Sequence, residues 1–148
     1  MRICFDSGVL LGLYDEKDPY HDRALLCFDS YITQRPLNAV ILPWPVMYES
    51  LSTHMARTSR RMNAINAHLK ALRVRGKLEF IEEGPYRDRA LAACLPEGGH
   101  RRALSLVDCV IRELLSDKSL QITALATFDI PGFHDICKRL RKRIIPEN

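Results

Sequence analysis

Apolar residues recur along this chain in two rhythms. Short runs, Arg2-Ile3-Cys4-Phe5, Val40-Ile41-Leu42, Leu78-Glu79-Phe80-Ile81, Ile122 to Ala126 and Ile144-Ile145, have the length and composition of buried strands. Between them the spacing becomes helical. Gly8 to Tyr14 predicts a short apolar helix, and Ala24, Leu25, Phe28, Tyr31 and Ile32 predict a second that ends at Arg35-Pro36. Asp18-Pro19 is expected to open that second helix, with Asp18 as cap and Pro19 at the first helical position. Pro45 starts a third, along which Val46, Met47, Leu51 and Met55 face the core. Arg60 to Arg75 is amphipathic and closed by Gly76, and Arg87 to Leu95 is a further helix before the loop Pro96-Glu97-Gly98-Gly99-His100. From Ser105, residues Val107, Val110, Ile111, Leu114 and Leu115 give the clearest helical stripe. A short basic helix precedes Ile144-Ile145, an edge strand. Strand and helix alternate from end to end, which predicts an α/β fold with a mostly parallel sheet and helices on both faces.

With 148 residues the chain fits one domain, residues 1–148, and can bury roughly 68–70% of its unfolded surface. Five scattered cysteines, with no C-x-x-C pair, read as small apolar fillers in a reducing compartment. Met1 to Asp6 reaches an acid too early for a signal peptide, and the apolar stretch Ala39 to Tyr48 is far shorter than the about 20 residues a membrane span needs. A cytoplasmic protein is expected. The excess of 22 Lys+Arg over 18 Asp+Glu is mild, yet Arg57, Arg60 and Arg61 cluster, and so do Lys138, Arg139, Arg141, Lys142 and Arg143. Such groups suit phosphate contacts or simply solvated helix faces.

Against this pattern four acids stand out, because each falls where an apolar element passes into a turn or a helix opens. Asp6 closes the first strand, Asp129 follows the fourth, and Glu49 and Asp108 are placed in the opening turns of helices. In an open α/β sheet, ligands bind beyond the carboxyl ends of the strands. Each acid also has an ordinary alternative: Asp6 or Ser7 as a helix cap, Asp108 in a capping box with Ser105, Glu49 as a solvated helix residue, Asp129 as a turn former. Their conjunction is what points to chemistry. Two carboxylates about 5 Å apart repel by roughly 1 kcal/mol in water and about 3 at an effective dielectric of 20. A divalent cation turns that repulsion into attraction, and all-oxygen ligands favour Mg²⁺ or Mn²⁺.

Four short motifs carry a likeness across nearly the whole chain: Phe5-Asp6-Ser7-Gly8-Val9-Leu10-Leu11, Val46-Met47-Tyr48-Glu49-Ser50-Leu51, Ser105-Leu106-Val107-Asp108-Cys109 and Ala126-Thr127-Phe128-Asp129. In this order they resemble the PIN-domain ribonucleases, including VapC-type toxins of bacterial toxin–antitoxin pairs. The resemblance implies a three-layer PIN-like sandwich and a site of Asp6, Glu49 and Asp108 completed by Asp129, with Ser7 and Thr127 as supporting hydroxyls. It implies Mg²⁺- or Mn²⁺-dependent hydrolysis of RNA, a protein antitoxin and a homodimer. Arg57, Arg60, Arg61, Arg101 and Arg102 are candidate RNA contacts at the rim. A housekeeping RNA-processing nuclease and an inactive PIN-like binding module are the alternatives. One departure is local: Pro131 stands where family members often carry a second acid, which leaves Asp135 as a substitute.

Overall fold

The computed structural model describes residues 1–95 and 104–147. The expected loop Pro96 to His100 lies outside the described residues, as do Arg101 and Arg102. Five strands, β1 (Arg2–Phe5), β2 (Ala39–Pro43), β3 (Leu78–Ile81), β4 (Ala124–Ala126) and β5 (Arg143–Ile145), form one sheet in the order β3-β2-β1-β4-β5, every pair parallel. The three central strands are apolar on both faces: Ile3, Cys4, Ile41, Leu42, Ala124, Leu125 and Ala126 are all fully buried. Helices must therefore cover both sides. The edge strands β3 and β5 keep partly exposed positions, as edges do.

Helices α1 (Ser7–Tyr14) and α2 (His21–Phe28) connect β1 to β2; α3 (Trp44–Ser50), α4 (Thr53–Ala56) and α5 (Ser59–Val74) connect β2 to β3. The chain then crosses back over β1 through α6 (Arg87–Cys94) and α7 (Leu106–Ser116) to β4, and α8 (Ile130–Leu140) leads to β5. Parallel crossovers are right-handed, so reversing the direction of travel sends α6, α7 and α8 to the face opposite α1 to α5. Strand order thus reverses at β1, and a crevice opens beyond the carboxyl ends of β1 and β4.

Local differences from the sequence expectations have identifiable causes. Asp18-Pro19 forms a turn and does not start a helix: the Asp18 carboxylate accepts the Tyr20 N–H at 2.8 Å and its carbonyl accepts the His21 N–H, so α2 begins at His21. Beyond Phe28 the backbone continues as a π-helical turn, Asp29–Thr33. The third helix stops at Ser50 because Leu51 leaves the helical region, and Met55 reaches the core from the separate α4. Glu49 therefore lies in the last turn of α3, not its first. Strand β4 starts at Ala124, two residues later than expected. Gly76 closes α5 with φ of +65°, the conformation that favours glycine.

The cysteines are unpaired, and four of the five are buried, which fits their reading as apolar fillers. Among the described residues no helix is long and apolar enough to cross a membrane. Helices α7 and α8 are clamped together by Arg112, whose guanidinium donates to both carboxylate oxygens of Asp135, at 2.8 and 2.6 Å, and to the Gly132 carbonyl at 2.8 Å. That pairing holds the Asp135 carboxyl well below the usual carboxylate range. It also turns Asp135 toward α7, in a structural role.

Candidate active site

Three of the four acids sit at helix N-termini, Asp6 and Asp129 as caps and Asp108 as the third helical residue of a capping box, and this is what brings them together. Asp6 ends β1 and caps α1: its Oδ1 accepts the Ser7 N–H at 2.7 Å and the Ser7 hydroxyl at 3.3 Å. Asp108 completes a capping box at the start of α7, accepting the Ser105 N–H at 2.9 Å while Ser105 Oγ accepts the Asp108 N–H at 3.0 Å. Asp129 caps α8 by accepting the Gly132 N–H at 3.1 Å. The positive ends of three helices thus face one crevice, and each cap carboxylate is stabilised there. The capping explanation and the functional one are compatible, since capping fixes where each carboxylate stands.

Thr127 links two of the acids. Its hydroxyl accepts the Asp129 N–H at 3.0 Å, so its one hydrogen goes to Asp6 Oδ2, 2.8 Å away. Thr127 is 1% exposed, and Asp6 is 7% exposed; the Asp6 N–H is also tied to the Ala126 carbonyl at 3.0 Å, locking β1 to β4 at the floor of the crevice. Ser7 and Thr127 together supply three of the hydrogen bonds to the Asp6 carboxylate.

All four acids line a single cleft of about 500 Å³, with Ser7 and Ser105 between them. Asp108 is half-buried, and Glu49 and Asp129 are exposed. Burial pushes the Asp6 carboxyl up from 3.8 to about 6, the Thr127 and Ser7 hydrogen bonds oppose the rise, and repulsion from Asp108 and Glu49 adds to it. A raised native pKa means the native state holds its proton more tightly than the unfolded chain. Stability from this group is fully present below pH 3.8 and is lost as pH rises through 6, a difference of about 3 kcal/mol. Measured with metal chelated, the melting temperature of the wild type is expected to fall relative to that of Asp6→Asn between pH 4 and pH 7. A constant difference across that range would show that Asp6 does not carry this burden.

The donor set suits a hard divalent cation in type, since it is made of carboxylate and hydroxyl oxygens. In spacing it is open: among the described residues no three Asp, Glu, His or Cys side chains stand close enough to hold one ion.

The candidate arginines are placed elsewhere. Arg57 and Arg60 are exposed, at the end of α4 and the start of α5. Arg60 and Arg61 line a second cleft, of about 370 Å³, with Tyr14 and His21, and Arg61 donates to Asp15 Oδ1 at 3.1 Å. Arg101 and Arg102 lie outside the described residues. Sequence reasoning missed Tyr20 and Phe128, which line the acid cleft, and Arg23 beside them. Phe128 is the neighbour of Asp129, but nothing in the sequence pairs it with Tyr20. A larger cavity, about 660 Å³, lies apart from the acids, bordered by Arg23, Arg35, Arg143 and Glu147.

No protein-family model and no curated protein matches the chain. Among solved structures, the crystal structure of VapC20 of Mycobacterium tuberculosis, described as a Sarcin-Ricin loop cleaving toxin, aligns with 90% of this chain and 94% of its own, at 18% identity and a TM-score of 0.66. The all-parallel sheet, its helical layers and this alignment agree: the chain has the fold of the VapC-type PIN domains.

Proposed function

We propose that the protein is a divalent-metal-dependent endoribonuclease that hydrolyses RNA phosphodiester bonds, as the toxin of a toxin–antitoxin pair. The observation that carries this reading is the convergence of Asp6, Glu49, Asp108 and Asp129 on one cleft at the strand-order reversal of a VapC-like fold. Asp6 and Asp108 would be the principal ligands of Mg²⁺ or Mn²⁺, with Glu49 and Asp129 completing the set. Such a cation neutralises charge on the phosphate and lowers the pKa of water.

The residues of the chain do the rest. Thr127 and Ser7 hold the Asp6 carboxylate in one orientation, and the capping box holds Asp108 in another. Glu49, exposed in the last turn of α3 and lining the cleft, would take the proton of the attacking water. Arg57 and Arg60, exposed outside the acid cleft, would offset the repulsion between the acids and a longer stretch of the RNA backbone. An antitoxin, a homodimer and a cytoplasmic setting belong to the same reading, and recovery of a small partner protein with the chain from its native host would support the toxin role over RNA housekeeping.

The test is a thermal titration. A cation that binds only the native state raises stability, and at a hundred times its dissociation constant Mg²⁺ or Mn²⁺ should raise the melting temperature by about 5 °C or more. Asp6→Asn should show little of that rise. An unchanged wild-type melting temperature at saturating metal would refute the site.

A further inference from the structure

Next to the acids, the wall of the cleft is aromatic. Tyr20 and Phe128 stack at 13° with their ring centroids 4.6 Å apart, and both line the cavity that holds the four acids. The Arg23 guanidinium carbon lies 5.7 Å from the Tyr20 ring centroid and 5.2 Å from that of Phe128. This group joins two distant parts of the chain: Tyr20 immediately precedes α2, while Phe128 immediately precedes Asp129.

Tyr20 is held firmly although its side chain is open. Its N–H is accepted by Asp18 at 2.8 Å, its carbonyl accepts the Ala24 N–H at 2.8 Å, and the neighbouring His21 Nδ1 lies 2.7 Å from the Gly12 carbonyl. Gly12 lets the two helices approach, since a Cβ there would stand 2.9 Å from Ala24 Cβ. Yet Tyr20 is 42% exposed, a large aromatic surface left to solvent at the lip of a polar cleft. Arg23 also borders the 660 Å³ cavity, where Arg35 and Arg143 stand with a single carboxylate, Glu147, bonded to Arg143.

We propose that Tyr20 and Phe128, with Arg23, form a subsite for one unpaired nucleotide of an RNA strand: the base stacks on the Tyr20 ring and Arg23 contacts the adjoining phosphate. This rests on the reading of the cleft as a site of RNA hydrolysis and specifies its substrate as single-stranded there. Four carboxylates repel a polyanion, so a strand entering the cleft has to be held by something beside them. Base–aromatic stacking holds it without adding charge, and an arginine over the rings supplies both phosphate contact and a cation–π component. A base in a duplex keeps its faces covered, so only an unpaired one can use the platform. From Arg23 the strand continues along α2 toward Arg35 and Arg143.

The experiment is binding of a fluorescently labelled single-stranded oligoribonucleotide, by anisotropy, with metal chelated so that affinity is read apart from cleavage. Tyr20→Ala should weaken binding about tenfold, and Tyr20→Trp should retain it. Arg23→Ala should flatten the dependence of log K on log salt by about 0.7, the contribution of one phosphate on a single strand. With wild-type protein, a single abasic residue at one position of the RNA should cause the same loss as Tyr20→Ala, and the two together should cause no further loss. Wild-type binding that ignores every abasic position, or wild-type protein that does not bind single-stranded RNA, would overturn the subsite. If Tyr20→Ala and Arg23→Ala keep full RNA affinity but lose a co-purifying protein, the platform is a protein-docking face and the subsite is likewise overturned. Cleavage by the wild type, assayed separately with Mg²⁺ or Mn²⁺, distinguishes the two claims: a Tyr20-dependent binder that never cleaves retains the subsite and loses the nuclease.

Discussion

Asp6→Asn should lower the proposed RNA cleavage about a thousandfold or more, with the fold intact and heat stability at neutral pH equal to or above that of the wild type. The activity loss follows from removing a principal cation ligand, whose transition-state effect of several kcal/mol corresponds to at least that factor. The stability outcome follows from burial. The wild-type carboxylate carries a charge that its surroundings oppose, raising its pKa to about 6, whereas an amide carries none. One cost offsets part of the gain, because asparagine has a single acceptor oxygen for the donors Ser7 and Thr127. Asp108→Asn should lose activity to the same extent for a simpler reason, since its amide oxygen can still accept the Ser105 N–H and keep the capping box. Cleavage assays and thermal melts on the same preparations separate these effects, and a variant that melts normally and still cleaves RNA at the wild-type rate contradicts the assignment.

Gly132→Ala should damage the site without touching any acid. A Cβ at position 132 would stand 2.2 Å from Asp129 Oδ2 and 2.9 Å from its Cγ, so the Asp129 side chain must swing away. The backbone has no need of glycine there, since Gly132 lies in the first turn of α8 with an ordinary helical φ. Losing the cap costs about 1 kcal/mol, and replacing glycine by alanine in a helix returns about the same amount. Stability should therefore stay nearly level, while displacing a catalytic group by an ångström or more costs about a hundredfold in rate. Activity falling toward that of Asp129→Asn at an unchanged melting temperature is the expected signature. Full activity in Gly132→Ala would place Asp129 outside the reaction.

This glycine also explains the point at which the chain departs from the PIN-domain pattern. Where relatives of that family often carry an acid, Pro131 occupies the first turn of α8, a position that needs no N–H donor, and Gly132 leaves room for the Asp129 cap. Asp135 does not replace the absent acid, because Arg112 holds it against α7.

The strands were legible in the sequence because a parallel sheet buried on both faces writes itself as unbroken apolar runs, and Ile3 to Phe5 and Val40 to Leu42 do so. The long helices α5 and α7 were legible by their spacing and by Gly76 and Ser105 at their ends. Boundaries set by side-chain competition were not. Asp18 spends its carboxylate on a turn, and α3 breaks at Leu51 although the apolar spacing runs on to Met55. The acids were legible as a set because each sits where an element ends or begins. Thr127 was legible as a supporting hydroxyl through the family resemblance, but its bond to Asp6 in particular and the Tyr20–Phe128 stack were not, since each joins residues more than a hundred positions apart. Arg61 shows the same limit from the other side: in sequence it is one of a basic cluster, and in space it faces Asp15.

The measurement that bears most directly on the central claim is cleavage of a single-stranded RNA by purified protein stripped of metal with a chelator and then given back Mg²⁺ or Mn²⁺. The stripped wild type is expected not to cleave and to recover when metal returns, and Asp6→Asn to cleave under neither condition. Equal cleavage with and without metal, or recovery in Asp6→Asn, would contradict that claim.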